Sequence, residues 1–146
     1  MSVIIRDIRS EDKAAWRTLW DGYNRFFDCD VPQEITENTW RRLHDKDSTI
    51  HAMVAEVNGE LAGFAMYVLH EGTWVKTPIC YMEDLFVAER FRGHGVGRQL
   101  IQALKDEGKA QGWSRLYWHT ATDNPARKLY DTFIAAGDYV RYRIDL

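Results

Sequence analysis

At 146 residues, 45% hydrophobic and 13% aromatic, the chain has the length and apolar content of one globular domain and is too short for two, which also excludes intrinsic disorder. Nineteen Lys and Arg against 22 Asp and Glu leave a net charge of -3, so the surface as a whole has no pull on nucleic acid or anionic lipid, and any basic site is local. No run approaches the roughly 18 apolar residues of a membrane span, the start MSVIIRDIRSEDK lacks the pattern of a secretory signal, and Cys29 and Cys80 stand outside any CxxC or Cys/His spacing, so a cytoplasmic protein with reduced thiols, no membrane or nucleic-acid partner and no zinc site is expected.

Val3 to Ile8 is a β-branched run, and Ser10 behind it reads as the N-cap of a helix whose first turn carries Glu11 and Asp12. In that helix Trp16, Leu19, Trp20, Tyr23 and Phe27 recur at steps of three and four, one apolar face for packing. Asp28, Cys29, Asp30 and Pro32 break it, and a shorter helix with Ile35, Trp40 and Leu43 follows. From Ile50 the period changes: HAMVAEV and ELAGFAMYVLH flank Asn58-Gly59, the strongest short signal for a two-residue hairpin. Ile79 to Val87 (ICYMEDLFV) is a further strand with Glu83 and Asp84 in its middle. A basic glycine-rich loop leads into a helix over Val96 to Gly112, with Val96, Leu100, Ile101 and Leu104 on one face. RLYWHT is the next strand, a helix is expected over Asn124 to Ala136, and the alternating run Tyr139 to Ile144 reads as a last strand. The order β α α β β β α β α β describes an α+β layered domain, a mixed and mostly antiparallel sheet with helices on both faces, spanning 1–146 as one unit.

The informative stretch is EDLFVAERFRGHGVGRQL. A strand runs into a loop with Gly93, Gly95 and Gly97 and then into a helix, so backbone N–H groups and the helix dipole converge while Arg90, Arg92 and Arg98 add formal charge. That is the composition of a phosphate or pyrophosphate cradle. A dinucleotide fingerprint fails because Arg98 and Leu100 stand where glycine is needed, and a P-loop fails for want of GKS or GKT.

Arg92, Gly95 and Gly97 after a strand resemble the signature of the GCN5-related N-acetyltransferase (GNAT) family, Arg or Gln, two residues, Gly, one residue, then Gly or Ala. The resemblance extends to YMEDLFV before the loop and to WHTATDNPARKLYDTF behind it, covering Tyr81 to Phe133, and it is nearest the branch that modifies polyamines, histone tails or free amino acids. It implies the family's layered fold, acetyl-CoA as cosubstrate and transfer of its acetyl group to a primary amine of a small molecule or a lysine-like side chain. A non-catalytic CoA sensor with the same cradle is the alternative. A third reading, nucleic-acid binding through the arginines, runs against the net acidity and the helix-face spacing of the aromatics.

On the family's pattern the cofactor contacts are the amides of Arg92, Gly93, His94, Gly95, Val96, Gly97 and Arg98. The backbone of Leu85, Phe86 and Val87 would take the pantetheine, and the Val87 amide would serve as oxyanion donor. Tyr130, after Ala126 to Leu129, matches the family tyrosine that gives its proton to the leaving sulfur. An alkyl ammonium is almost wholly protonated at neutral pH, so a carboxylate must accept a proton, and Glu83 is the choice. Strict alternation puts Glu83 and Asp84 on opposite faces and leaves Asp84 a structural role. Asp28 and Asp30 are candidates to line the entrance for a cationic substrate. Where the family usually has Asn the chain has Asp123 with Asn124 next, and either caps a helix, with Asn124 the candidate contact. A homodimer formed through the Tyr139 to Leu146 run is expected, and no metal.

Overall fold

The computed structural model describes residues 1–146. Strands β1 (Val3–Asp7), β2 (Ile50–Val57), β3 (Glu60–His70), β4 (Ile79–Val87) and β5 (Arg115–Tyr117) lie side by side in sequence order. The first four are joined by antiparallel ladders and only β4 and β5 run parallel, so the sheet is mixed and mostly antiparallel as its sequence suggested. Asn58 and Gly59 turn the β2–β3 hairpin with φ of 51° and 81°, the left-handed pair that matches strand twist.

Helices α1 (Lys13–Phe26) and α2 (Gln33–Leu43) cover one face, and α3 (Val96–Gln111) covers the other. The α1 stripe buries Trp16, Leu19 and Trp20 on Ala52, Val54, Phe64 and Met66. Trp16 and Trp20 stack at 5.5 Å, and the Trp20 indole donates to Thr36 Oγ1 at 3.0 Å, tying α1 to α2. On the opposite face Val96, Leu100, Ile101 and Leu104 close over Met53, Ala55, Ala65 and Met82. Strand residues alternate between these two cores, which is why β2 and β3 read as nearly continuous apolar runs.

Four details differ from the sequence reading. The entry to α1 is fixed by Asp12 and not by Ser10: Asp12 Oδ2 accepts from the Arg9 amide at 2.8 Å, and the same carboxylate takes both guanidinium nitrogens of Arg6 at 2.8 and 2.9 Å. A short buried acceptor with a bidentate cation outcompetes an exposed hydroxyl for that place. The RLYWHT strand is shortened to Arg115–Tyr117. The helix expected over Asn124 to Ala136 is the single turn α4 (Arg127–Tyr130), because Thr132 Oγ1 donates to the Leu129 carbonyl at 2.6 Å and takes the acceptor that the next helical turn needs. Finally, Tyr139 to Ile144 is not a strand. Residues beyond Ile134 make no backbone hydrogen bond, and Tyr139, Tyr142 and Ile144 are 97%, 92% and 84% exposed. The alternation is there, but a strand needs a neighbour for its N–H and C=O groups, and the chain offers this segment none.

No helix is long and apolar enough to cross a membrane.

Candidate active site

Strand β4 is where the sheet becomes irregular. Its pairing with β5 is limited to Ile79–Arg115, Cys80–Leu116 and Tyr81–Tyr117, so from Met82 onward one edge of β4 has no neighbour. On the other edge β3 stays paired up to Gly63–Val87, and the Ala88 amide bonds the Ala62 carbonyl at 2.8 Å. Backbone groups alternate along a strand, so with Ala88 and Phe86 turned to β3, the N–H and C=O of Leu85 and Val87 face the gap. The gap therefore has free backbone donors at Leu85 and Val87 and a free acceptor at Leu85, the Val87 carbonyl being taken by Arg92 Nε.

At the end of this gap stand Gly93 and Gly95, both at φ 80° with open space where a Cβ would be. The left-handed geometry at both positions bends the chain so that successive amides turn inward ahead of α3, with Gly95 as its N-cap residue. Gly97 has a different reason: a Cβ there would lie 3.1 Å from Leu129 Cδ2, so its absence lets α4 sit against the start of α3. His94 is exposed within the loop, and Val96 is buried beneath it.

The arginines of the loop are mostly engaged elsewhere. Arg90 pairs with Glu60 at 2.8 Å. Arg92 folds back from the loop, its Nε donating to the Val87 carbonyl at 2.8 Å and its guanidinium over the rings of Phe86 and Phe26 at 5.4 and 5.7 Å. It lines a cavity of about 420 Å³ with Leu19, Gly22, Arg25, Phe26 and Phe86. Arg98 donates to Thr132 Oγ1 at 3.0 Å and holds the segment after α4 against α3. What the loop itself leaves open is its amides and the helix N-terminus, with the guanidinium groups pinning the loop.

The two carboxylates of β4 do not simply alternate. Met66 of β3 pairs with Asp84 and Tyr67 with Met82, leaving Glu83 as an extra residue in a β-bulge. Asp84 and Phe86 consequently sit on the α1 face, while Leu85 and Val87 pack on the α3 side. Glu83 is exposed, and its charge acts on both Asp84 and the Tyr23 hydroxyl. The bulge therefore brings both carboxylates to one site, correcting the expectation that only one could face it. Burial pushes the Asp84 carboxyl up to about 7, opposed by the nearby Tyr23 hydroxyl, which favours the charged form. Burial also raises the Tyr23 phenol, with the charges of Asp84 and Glu83 adding to it.

Tyr130 closes the other side. Its ring meets Trp118 edge to face at 5.5 Å and packs on the α3 core, and burial raises its phenol, which keeps it protonated at neutral pH. Asn124 is spent on its own loop: Nδ2 donates to Thr120 Oγ1 at 2.8 Å and Oδ1 accepts from the Ala126 amide at 2.9 Å, an Asx turn that starts α4. Asp28 and Asp30 are exposed in the turn after α1, Asp28 at φ 50°, and neither is among the charges that reach the Tyr23–Asp84 pair. Tyr23 was legible only as one ring of the α1 stripe. Nothing in its spacing distinguishes it from Leu19 or Trp20, and only the bulge puts a carboxylate under its hydroxyl.

A family model described as Acetyltransferase (GNAT) family matches residues 13–133. A D-amino-acid N-acetyltransferase of Saccharomyces cerevisiae is 32% identical over 135 residues, 91% of this chain and 84% of that protein. A thialysine N-epsilon-acetyltransferase of Caenorhabditis elegans is 32% identical over 106 residues, 70% of this chain and 63% of that protein. Among solved structures, AAC(6')-Iy in complex with the bisubstrate analog CoA-S-monomethyl-acetylneamine superposes with a TM-score of 0.82 over 100% of both chains at 20% identity, a likeness of fold. The split sheet, glycine loop and flanking tyrosine define a CoA-dependent acyltransferase fold, and the chain belongs to the acetyltransferase (GNAT) family. It is an N-acetyltransferase, of a class that draws its acetyl group from acetyl-CoA.

Proposed function

We propose that the protein transfers the acetyl group of acetyl-CoA directly to the primary amine of a small molecule, with a free amino acid or polyamine favoured over a lysine-like side chain. The observation that carries this reading is the unpaired edge of β4, where the backbone of Leu85 and Val87 opens onto the gap beside the Glu83 bulge. The D-amino-acid and thialysine specificities of the two relatives support a small acceptor.

Pantetheine adds to β4 as a strand along Leu85 to Val87, and the amides from Arg92 to Arg98 receive the pyrophosphate. This leaves the thioester carbonyl at the Val87 N–H, which stabilises the oxyanion as the amine attacks. Glu83, exposed on the acceptor side, draws the ammonium in and takes a proton from it. Tyr130, kept protonated by burial, gives its proton to the departing thiolate. Asp28 and Asp30 add negative potential at the entrance. Direct transfer is supported by the cysteines: burial pushes the Cys80 thiol up to about 12, which suppresses the thiolate an acetyl-cysteine intermediate needs.

The reaction takes place in the cytoplasm, in keeping with two unpaired cysteines, and in a homodimer. Each chain leaves the outer edge of β5 unpaired, as it does that of β1, and has Tyr139, Val140, Tyr142 and Ile144 exposed in a segment without backbone partners, so two copies related by a twofold axis, each laying this segment on the other's β5, cover both. Sedimentation at micromolar concentration is expected to give the mass of two chains, and one chain after removal of residues 139–146. A single-chain mass for the full protein refutes the dimer.

The activity is tested by following thiol release from acetyl-CoA with a panel of polyamines, L- and D-amino acids and a lysine-rich peptide. Glu83→Gln and Tyr130→Phe are expected to lower kcat by about 10²-fold with CoA binding retained. Tight CoA binding without turnover on any amine overturns the proposed acceptor class, and unchanged turnover in both variants overturns the assigned roles.

A further inference from the structure

Asp84 has no part in the mechanism so far, yet it is the most unusual carboxyl of the site. It lies half-buried on the α1 side of β4, opposite Met66 of β3, with the Tyr23 hydroxyl near it. Tyr23 is fixed by its neighbours: its ring centroid lies 5.8 Å from Trp20, 5.9 Å from Phe64, 6.0 Å from Phe86 and 4.9 Å from Phe27. An aromatic cage of this kind holds the hydroxyl beside the carboxyl and leaves it little freedom. The bulge then sets Glu83 beside Asp84, one carboxylate in water and one withdrawn from it.

The groups that face Asp84 are few. From α1 there is Tyr23, and from β4 there is Glu83. Tyr81, one pleat back on β4, feels both carboxylates and on its other side the charge of Arg141 from the C-terminal segment, while β3 presents Met66. No cation is among the groups acting directly on Asp84, so burial is not offset by an ion pair. With the Glu83 charge beside it and no cation to offset burial, the withdrawn carboxylate is the member of the pair that an incoming proton favours.

We propose that Asp84 holds the proton that Glu83 takes from the acceptor ammonium, and that Tyr23 is the residue positioning Asp84 for it. The inference rests on the function proposed above. In the step, one N–H bond of the ammonium breaks and its electron pair stays on nitrogen as the nucleophile. The proton passes through Glu83 and forms an O–H bond on Asp84. It leaves to water by the same path when the product has gone, while the second proton that nitrogen loses as the amide forms makes good the one that Tyr130 gives to the departing sulfur. Glu83 is thereby returned to its charged form while the amine attacks, which keeps the neutral amine beside a carboxylate.

Two measurements on the full chain test this. In the first, the carboxyl carbons of ¹³C-labelled aspartate are followed by NMR from pH 4 to 9 without any acceptor. One signal is expected to titrate near neutrality, to vanish in Asp84→Asn, to move down in Glu83→Gln because a like charge is gone, and to move up by about one pH unit in Tyr23→Phe because the hydroxyl favouring the charged form is gone. In the second, kcat/KM is measured against pH with the amine turned over fastest in the panel. Its acidic limb is expected to move up with the same sign in Tyr23→Phe and to leave the neutral range in Asp84→Asn, with the rate at pH 7.5 at least tenfold lower. A structural role would lower the rate by the same factor at every pH and leave the limb in place, and that result overturns the proposal. So does an Asp84 signal that ignores Glu83→Gln. If no amine is turned over, the reading of function fails, and the NMR titration still decides whether the pair shares a proton.

Discussion

Replacing Asp84 with Asn should stabilise the fold while it damages the reaction, and the size of the effect follows from the site. The carboxyl stands at about 7 in the folded protein against an ordinary value of 3.8, raised first by burial. The native state therefore binds this proton more tightly than the unfolded chain, so its contribution is most favourable in acid and is lost as pH rises from 3.8 through 7. Three pH units at about 1.4 kcal/mol each make the buried charge cost about 4 kcal/mol above neutrality. Asparagine keeps an acceptor for the Tyr23 hydroxyl and has no charge to bury. Urea unfolding of the two proteins at a series of pH values is the assay. The variant is expected to be more stable by about 2 to 4 kcal/mol at pH 8, the range allowing for relaxation and water entry, with the advantage shrinking below pH 7 and gone near pH 4. A difference that does not change with pH refutes the reasoning, because it would place the effect in packing and not in the charge.

Other perturbations bear on different parts of the structure. Leu100→Ala removes a fully buried side chain from the α3 core and is expected to cost about 3 kcal/mol in denaturant unfolding, a cost that should be absent in Ile35→Ala on an exposed surface. Gly95→Ala places a Cβ at φ 80° in the loop, at a backbone cost of about 1 to 2 kcal/mol, and is expected to weaken CoA binding at least tenfold in calorimetry and to lower the melting temperature by several degrees. Gly63→Ala would put a Cβ 2.5 Å from the Phe86 carbonyl oxygen, forcing β3 from β4 beside the gap, so both stability and CoA binding should fall.

The sheet and the three long helices were legible because each has a period its core demands: steps of three and four on α1 and α3, alternation in the strands, and Asn58-Gly59 at the turn. The left-handed loop ahead of α3 was legible because Gly93 and Gly95 adopt positive φ at no steric cost. What was lost depends on contacts distant in sequence. Whether Glu83 and Asp84 alternate is decided by Met66 and Tyr67 across the ladder, eighteen or fewer residues away in the chain but invisible in the text of β4 alone. The reach of the helix at Arg127 is decided by one Thr132 hydroxyl, and the state of Tyr139 to Ile144 by a neighbour that a single chain does not provide.

The chemistry of this domain gathers where regular pairing fails. A strand whose N–H and C=O groups are all paired has nothing left for a ligand, and β4 is the one strand of the sheet that is paired on both sides at its start and on one side at its end. The loss of β5 frees the backbone of Leu85 and Val87, the bulge turns two carboxylates to one place, and the positive φ values at Gly93 and Gly95 turn the following amides inward. Each irregularity costs stability locally, and the two cores on either side of β3 supply the rigidity that lets them persist. A chain that made β4 regular, by pairing its free edge or removing the bulge, would gain backbone hydrogen bonds and lose the open edge and the adjacent carboxylates on which the proposed chemistry rests.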